Sequence, residues 1–303
     1  MSKKTTGIFM LIMANLIWAG SYPAMAIALR GFHPLLITLV RLGVGSLVMV
    51  AFLGWRQNRR SWRWTWKLML AALAMGVVGF TLPVWLQATG VRLSTAGLAA
   101  ISVALEPIFT VLIASLVLGQ RIRGRQAWAL VAALIGSWAV AGFPRPGAAG
   151  YWLGDVILLL AVVCWASYNV FSEPLTVRLP AATSTAATLL GGFLTTLPLM
   201  FWVPHTTPTR FNHIGAVMAL GYLALMATAG AYLLWMLAVE RVNVSEAAIY
   251  VYLQPLAGVL LSVAIVGNKI TVPIIFGSLL IAAALFMGRP ERSGDASQGK
   301  EAV

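Results

Sequence analysis

One apolar segment of this chain occurs twice, and this duplication constrains the fold more than any single residue does. Residues 99–107 read Ala-Ala-Ile-Ser-Val-Ala-Leu-Glu-Pro, and residues 247–255 read Ala-Ala-Ile-Tyr-Val-Tyr-Leu-Gln-Pro. From Gly97 to Ile122, ten of the 26 residues are identical to those 148 positions later. Each copy carries a proline and a polar residue in an apolar stretch, which is typical of membrane transporters built from two repeats.

The composition is that of a membrane protein. Hydrophobic residues make up 60% of the chain and charged residues 10%, whereas about a quarter of a soluble domain is charged. Because a bilayer offers no water to backbone groups, uncharged stretches of about 20 residues must be helical. The pattern predicts an all-α integral membrane fold with ten transmembrane helices. The predicted spans are residues 7–29, 34–55, 68–90, 95–118, 126–142, 153–173, 183–203, 214–238, 246–266 and 272–288. The first is too long for a secretory signal, so we expect it to be retained.

The basic residues predict how the chain is oriented. With the N-terminus in the cytoplasm, fifteen Lys and Arg residues fall on the inner side and five on the outer side, and Arg41 lies within a span. Because each half has five spans, the second half enters from the opposite face, which predicts two inverted five-helix repeats. We expect these repeats at residues 1–145 and 146–288, with the linker 142–151 outside. A disordered cytoplasmic tail is expected at residues 289–303, so both termini are cytoplasmic.

Several classes of function are disfavoured by the residues themselves. The net charge of +13 is explained by topology, so it gives no reason to expect a nucleic-acid partner. The single cysteine, Cys164, excludes a disulfide and a cysteine metal site, and we expect no metal or cofactor. No phosphate-binding loop, zinc-protease helix or nucleophile elbow occurs in the sequence. An intramembrane enzyme would need a convergent acid, base or metal set that the predicted spans do not supply.

Several short motifs of the sequence carry a resemblance to a known family. Its motifs are Trp18-Ala19-Gly20-Ser21, Arg41, the helices with Pro107 and Pro255, and the turns Gly119-Gln120-Arg121 and Gly267-Asn268-Lys269. They resemble the EamA repeats of the drug/metabolite transporter (DMT) superfamily from Thr6 to Met287, and are most similar to YddG-type exporters of aromatic amino acids. The resemblance implies a ten-helix exporter in the bacterial plasma (inner) membrane. Gln120 and Asn268 replace the glutamate usual after the turn glycine, which concerns local capping rather than transport.

Helical periodicity groups the polar and aromatic residues of the spans on single faces, because positions i, i+3 and i+4 share a face. The six helices that carry these faces are the same three in each repeat, as a pathway between inverted repeats requires. The predicted pathway residues are Asn15, Trp18, Tyr22, Thr81, Trp85, Ser102, Glu106, Trp165, Tyr168, Asn169, Tyr232, Trp235, Tyr250 and Gln254.

Each group in this set also has a purely structural interpretation. Trp85 and Trp235 lie near span ends, where tryptophan often anchors a helix at the membrane interface. Thr81 and Ser102 can bond their own helix backbone, and the tyrosines can join helices by hydrogen bonds.

Glu106 and Arg41 are the ionisable residues of most interest. A charged carboxylate at a helix centre costs roughly 3 kcal/mol to insert, so Glu106 should face the bundle interior or a wet cavity. Glu106 could carry protons, could pair with Arg41, or could be a structural acid bonded to a neighbour. Its counterpart in the second copy is Gln254, which favours the structural alternative. For Arg41 we expect a helix-packing ion pair or hydrogen bond.

Pro107 and Pro255 are predicted hinges. Each proline removes a backbone donor and frees a carbonyl one turn earlier, which permits bending. A fixed kink that only shapes packing is the alternative.

Taken together, the sequence predicts a carrier that works by alternating access through a cavity between the repeats. Its substrate is expected to be a small metabolite, an amino acid above all and an aromatic one by preference, and its other partner is the lipid bilayer. The export direction follows from the resemblance alone. The alternatives are a drug or nucleotide-sugar carrier of the same superfamily and, from another class, an intramembrane enzyme or scaffold. The oligomeric state is open, and a monomer is compatible with the sequence.

Overall fold

The computed structural model of the chain describes most of the predicted bundle. It covers residues 2–55, 64–119, 151–172, 177–203, 209–242, 250–251, 253–267 and 271–288, and the single positions 124, 128, 131, 132, 135, 136, 175 and 247. Within these ranges the backbone forms nine helices: α1 (Lys3–Ala28), α2 (Pro34–Trp55), α3 (Trp66–Leu93), α4 (Ala96–Leu118), α5 (Tyr151–Phe171), α6 (Ala181–Thr196), α7 (Ile214–Val239), α8 (Leu253–Val266) and α9 (Val272–Gly288).

The prediction of an all-helical membrane fold is confirmed. Seven of the described helices, α1 to α7, are long and apolar enough to cross a membrane, with α6 continuing into the 3₁₀ turn Pro198–Trp202. The helix α8 is shorter, at 14 residues, and α9 has 17. The predicted span 126–142, the linker 142–151, the turn residues Gln120 and Asn268, and the tail 289–303 lie wholly or largely outside the described residues. The count of ten helices therefore stays a prediction.

Local sequence explains where these helices begin and end. Ser2, Thr65 and Thr95 cap α1, α3 and α4, because each side-chain oxygen accepts a hydrogen bond from a backbone N–H three residues later. The duplicated turn glycines, Gly119 and Gly267, follow the last turns of α4 and α8 with φ of 67° and 80°. Only glycine adopts this left-handed conformation without strain, so both copies of the repeated segment end in the same way.

Equivalent helices of the two halves also depart from regular geometry at equivalent places. Both α3 and α7 contain a wide π-helical stretch, at Val77–Thr81 and Tyr222–Gly230. The helix α4 tightens to a 3₁₀ turn at Val103–Leu105, immediately before Glu106 and Pro107. The helix α8 begins at Leu253, two residues before Pro255. Because proline has no backbone N–H, the helical hydrogen-bond pattern is interrupted at both sites.

By position in the sequence, α1 to α4 are the counterparts of α5 to α8. For several pairs of helices that pack together, their two counterparts pack together as well. The helix α1 packs on α7 and α8, and α5 correspondingly packs on α3 and α4. The pair α2–α7 matches α6–α3, and α2 packs on its own counterpart α6. Near its start α1 meets the end of α7, where Gly7 lies against Val242, and near its end it meets the start of α7, where Gly31 lies against Ala216. These two helices are therefore antiparallel.

One contact between helices depends on the absence of side chains. A Cβ added to Gly76 of α3 would lie 2.4 Å from the backbone nitrogen of Gly192 in α6 and 2.7 Å from the carbonyl oxygen of Thr188. Small residues let membrane helices approach closely enough for backbone atoms to touch. This contact fixes the position and rotation of α3, which forms one wall of the cavity described below.

Candidate functional site

A cavity of about 310 Å³ lies between α1, α2, α3, α4, α5 and α7, and its wall also includes residues from the starts of α6 and α8. Of the fourteen predicted pathway residues, nine line it, and they come from both halves of the chain. These nine are Trp18, Tyr22, Glu106, Trp165, Tyr168, Asn169, Tyr232, Trp235 and Gln254. Trp18 and Tyr22 of α1 therefore meet the residues predicted on α5 at one site.

Two of the predicted residues that do not line the cavity are bound to backbone instead. The hydroxyl of Thr81 donates to the carbonyl of Gly192 at 2.8 Å and also contacts the hydroxyl of Thr195, so it joins α3 to α6. The hydroxyl of Ser102 donates to the carbonyl of Leu98 in its own helix at 2.8 Å. Ser102 thus bonds its own helix, as its structural interpretation has it, whereas Thr81 bonds the backbone of a neighbouring helix.

The other three predicted residues outside the cavity wall have different surroundings. Asn15 is fully buried behind the wall and is bound to Gln254. Tyr250 packs on an apolar cluster that includes Leu11 and Ala247. Trp85 is partly buried on α3.

The cavity wall also contains residues that are not among the predicted pathway residues, above all Arg41, Phe80 and Gln87. Phe80, Val84 and Gln87 are spaced by four and three residues and form the face of α3 that lines the cavity. The signal that could have found this face is Gln87, a polar residue on the same helical face as an aromatic one.

Five of the aromatic side chains of the site form a continuous chain of ring contacts. Trp18 lies 5.3 Å from Tyr232 in an edge-on arrangement and 5.6 Å from Trp235, measured between ring centroids. Phe80 lies 5.5 Å from Tyr232 and 5.6 Å from Tyr168. Edge-on and tilted contacts at these distances are favourable, because the positive ring edge meets the negative ring face.

The π-helical stretch of α7 supplies polar groups to this wall. The indole nitrogen of Trp18 donates to the carbonyl of Ala227 at 2.9 Å. The hydroxyl of Thr228 donates to the carbonyl of Leu223 at 2.8 Å and accepts a hydrogen bond from Nε of Arg41 at 3.1 Å. Such stretches are frequent at functional sites.

Glu106 and its counterpart Gln254 make equivalent hydrogen bonds in the two halves. Oε1 of Glu106 accepts from Nδ2 of Asn169 at 2.8 Å, and Oε1 of Gln254 accepts from the hydroxyl of Tyr22 at 3.2 Å. Tyr22 and Asn169 each lie four residues after their tryptophan, Trp18 or Trp165, so they are counterparts too. The glutamate thus has Asn169 as its partner and forms no salt bridge with Arg41.

These two equivalent contacts differ in their access to water. Tyr22 and Gln254 are 3% and 7% exposed, and Nε2 of Gln254 also donates to Oδ1 of buried Asn15 at 2.9 Å. Asn169, in contrast, is exposed, and Glu106 is half-buried. The contact between Tyr22 and Gln254 is therefore shielded from water, whereas the contact between Asn169 and Glu106 is accessible to it.

Arg41 is the cation among the described residues of the cavity wall. Its side chain is 6% exposed, and its Nε is held by Thr228. Its Nη1 is buried and has no hydrogen-bond partner among the described residues. The site thus combines flat aromatic surfaces, one guanidinium, one carboxyl group and the amides of Gln87, Asn169 and Gln254. Such a wall can bind a small molecule that has both an apolar ring and charged groups.

Comparisons with known proteins agree with this membrane architecture. The model of the EamA-like transporter family matches residues 5–142 and again residues 152–288. A solved crystal structure has a similar fold, with a TM-score of 0.65. The alignment covers 94% of this chain and 96% of the other chain at 18% sequence identity, so the similarity concerns the fold alone.

Curated relatives carry the names of transporters. A protein of Streptantibioticus cattleyicolor named "Probable terminal-alkyne amino-acid exporter" is 27% identical over 95% of both chains. "Uncharacterized transporter YdeK" of Bacillus subtilis is 30% identical over 89% of this chain and 92% of its own. "Uncharacterized inner membrane transporter YedA" of Escherichia coli is 24% identical over 86% and 83%. The resemblance to EamA repeats is thereby confirmed, and this multi-pass membrane protein belongs to the EamA-like transporter family of the DMT superfamily.

Proposed function

We propose that this protein is a plasma-membrane carrier that exports amino acids, aromatic ones by preference, by alternating access through the central cavity. The observation that carries the proposal is the composition of the cavity wall. Trp18, Trp165 and Tyr232 offer flat apolar surfaces. Arg41 offers a positive charge, and the carboxyl oxygens of Glu106 can accept hydrogen bonds from an ammonium group. A zwitterion with an aromatic side chain matches this wall group by group.

The size of the cavity and the name of one relative support the same substrate class. About 310 Å³ falls at the lower end of the range of about 300–1,000 Å³ found for small-ligand sites, which suits a single metabolite. The Streptantibioticus relative is named a probable terminal-alkyne amino-acid exporter, and this name supports both the class of cargo and the direction. The fourteen predicted pathway residues remain our proposal for the route, with the nine at the cavity wall as its centre.

Two inverted repeats of five helices, at residues 1–145 and 146–288, would provide the alternating access. Three observations support this part of the proposal. The helix pairs correspond when the halves are exchanged. The helix α1 runs antiparallel to α7, and α3 runs antiparallel to α5, since Gly79 meets Tyr168 and Gly90 meets Leu158. The interruptions before Pro107 and Pro255 lie at equivalent points, where bending would occur.

We infer that the conformation described here faces the cytoplasm. The cavity wall includes Ser172 after α5, Thr185 in the first turns of α6, and Val251 just before α8. The charge bias of the loops puts these three helix ends on the inner side, with both termini cytoplasmic. The exposed Asn169–Glu106 contact then lies toward the open side, and the buried Tyr22–Gln254 contact toward the closed side. In the opposite state the two contacts would exchange their exposure.

Counterflow in liposomes tests the proposal. The purified protein is reconstituted into vesicles loaded with unlabelled phenylalanine, and uptake of labelled phenylalanine, tryptophan, alanine, a uridine diphosphate sugar and a cationic drug is compared. We expect exchange of phenylalanine and tryptophan, weaker exchange of alanine, and background values for the other two. Exchange confined to the sugar nucleotide or to the drug would replace the proposal by the corresponding alternative carrier.

A further inference from the structure

We propose that Arg41 binds the carboxylate of the transported molecule, so that the carrier requires a free carboxylate on its cargo. This inference rests on the proposed function of the cavity as the site of an amino-acid carrier.

The first observation is that the positive charge of Arg41 is buried without a counter-ion among the described residues. The side chain is 6% exposed and lies in the cavity wall. A guanidinium has five N–H donors, and the hydrogen bond made by Arg41 within the described part of the chain uses the single donor of Nε. Nη1 is buried and has no partner there. A charge in this situation is unfavourable unless a partner compensates it.

The second observation is that the only carboxyl group of the described cavity wall is engaged elsewhere. Glu106 accepts its hydrogen bond from Asn169, on the side of the cavity formed by α4 and α5. Arg41 belongs to α2 and is tied to α7. Within the described part of the chain the guanidinium is therefore not neutralised, and the transported molecule can supply the compensating anion.

The third observation is that Arg41 is held in one orientation. The hydrogen bond to Thr228 fixes the Nε edge of the guanidinium at 3.1 Å. Gly45 makes this possible, because a Cβ at that position would lie 2.6 Å from Cγ2 of Thr228. With the Nε edge occupied, the two Nη groups are left for a ligand. Paired N–H groups of a planar guanidinium match the two oxygens of a carboxylate, which gives both strength and selectivity.

The aromatic wall continues from this point. Tyr232 also lines the cavity, and it contacts both Trp18 and Phe80. A molecule with a carboxylate at Arg41 can therefore lay an apolar ring along these side chains. An inorganic anion could meet the charge of Arg41, but it would leave the aromatic surfaces unused.

The experiment compares three probes that share one ring. Phenylalanine has a carboxylate and an ammonium group, 3-phenylpropionate has only the carboxylate, and phenethylamine has only the ammonium group. Binding is measured with the full-length wild-type protein in detergent. We expect phenethylamine to bind at least tenfold more weakly than phenylalanine and 3-phenylpropionate to keep measurable affinity. Equal affinities for phenethylamine and phenylalanine would overturn the role of Arg41 and leave the proposed carrier function standing.

The variants assign the effect to the residue. In Arg41→Gln we expect phenylalanine and 3-phenylpropionate to bind about 10- to 100-fold more weakly, the loss typical of a charge-assisted hydrogen bond, while phenethylamine changes by less than about twofold. Arg41→Lys keeps the charge but not the planar pair of donors, so it should fall between. Arg30→Gln, the same change in the turn after α1, is the matched control and should bind like the wild type.

Two further outcomes separate the inference from the function on which it rests. If Arg41→Gln weakens all three probes equally, the residue is structural and the inference is overturned. If a folded wild-type protein binds none of the probes and exchanges no amino acid, the proposed function fails and the inference fails with it. The comparison of the three probes on the wild-type protein tests whether binding requires a carboxylate, even if an Arg41 variant does not fold.

Discussion

Removing the hydroxyl of Tyr22 should shift the carrier toward its outward-facing state. In the conformation described here this hydroxyl donates to Oε1 of Gln254 at 3.2 Å in a buried position between α1 and α8. Gln254 keeps its bond to Asn15, so Tyr22→Phe removes one contact and leaves the rest of the closed side intact. In the opposite state this contact would be exposed to water, and its loss would matter less.

The size of the shift follows from the worth of one hydrogen bond. A buried hydrogen bond contributes about 0.5–1.5 kcal/mol net, and those between membrane helices average about 0.6 kcal/mol. Losing about 0.6–1.5 kcal/mol from one of two states changes their ratio by about three- to twelvefold. The outward-facing fraction should rise by that factor while it remains the minor state.

Thr38 provides the reporter for this shift. It is fully buried in α2, whereas Thr185 of α6 lines the cavity. The two threonines are 147 residues apart, as Trp18 and Trp165 are, and are therefore counterparts. If the halves exchange roles, a cysteine at Thr38 becomes reachable from outside. In a background that lacks the single native cysteine through Cys164→Ala, Thr38→Cys should react with a membrane-impermeant maleimide about three- to twelvefold faster when Tyr22→Phe is added.

A second tyrosine supplies the control for this assay. The hydroxyl of Tyr250 makes no hydrogen bond within the described part of the chain, and its ring packs on an apolar cluster. Tyr250→Phe should leave the labelling rate unchanged. An unchanged rate in a stable Tyr22→Phe protein would refute the assignment of this contact to the closed side. An equal rise in both variants would instead indicate general loosening.

Three more predictions concern stability, selectivity and coupling. Gly76→Ala should lower the melting temperature by about 2–12 °C, because the new methyl group meets backbone atoms of α6 and overpacking costs about 1–3 kcal/mol. The control is Gly221→Ala, which should not lower the melting temperature because the space around Gly221 is open. Trp165→Leu should reduce phenylalanine transport about three- to tenfold relative to alanine in liposomes, and Trp18→Leu should also lose thermal stability because its indole bonds Ala227. An unaltered ratio in both variants would remove these tryptophans from the pathway. Glu106→Gln should keep substantial transport and its pH dependence, because an amide oxygen can still accept from Asn169; a folded but inactive variant would favour proton coupling.

The spans were predictable because the bilayer imposes a simple rule on length and polarity. The predicted spans 34–55, 214–238 and 272–288 agree with Pro34–Trp55, Ile214–Val239 and Val272–Gly288 to within one residue. The interruptions at Pro107 and Pro255 follow from the missing backbone donor. The π-helical stretches were not predicted, because neither Val77–Thr81 nor Tyr222–Gly230 contains a residue that forces one.

The rotation of each helix was harder to predict than its length. Lipid tails are as apolar as a protein core, so the hydropathy of a membrane helix says little about which face turns inward. For α3 the sequence favoured the face of Thr81 and Trp85, whereas the face with Phe80 and Gln87 lines the cavity. The close contact of Gly76 with Gly192 settles this rotation, and it joins residues too far apart in sequence to be paired by inspection.

Arg41 illustrates how a prediction can be sound locally and incomplete at the site. A hydrogen bond that joins helices was expected, and the bond to Thr228 is present. What the sequence did not reveal is that Nη1 lies at the wall of a cavity with no partner among the described residues, because this requires knowing where the nearby carboxyl groups lie.

The buried charge of Arg41 has a consequence for the energetics of the living membrane. A carrier without ion coupling lets each substrate run down its own electrochemical gradient. At an interior potential of about −100 mV, a monovalent cation would be drawn inward by about 2.3 kcal/mol, roughly a fiftyfold accumulation. A zwitterion experiences no such pull, and its export depends on concentration alone. A fixed positive charge in the cavity wall that requires a carboxylate on the substrate would therefore prevent organic cations from leaking into the cell through this transporter.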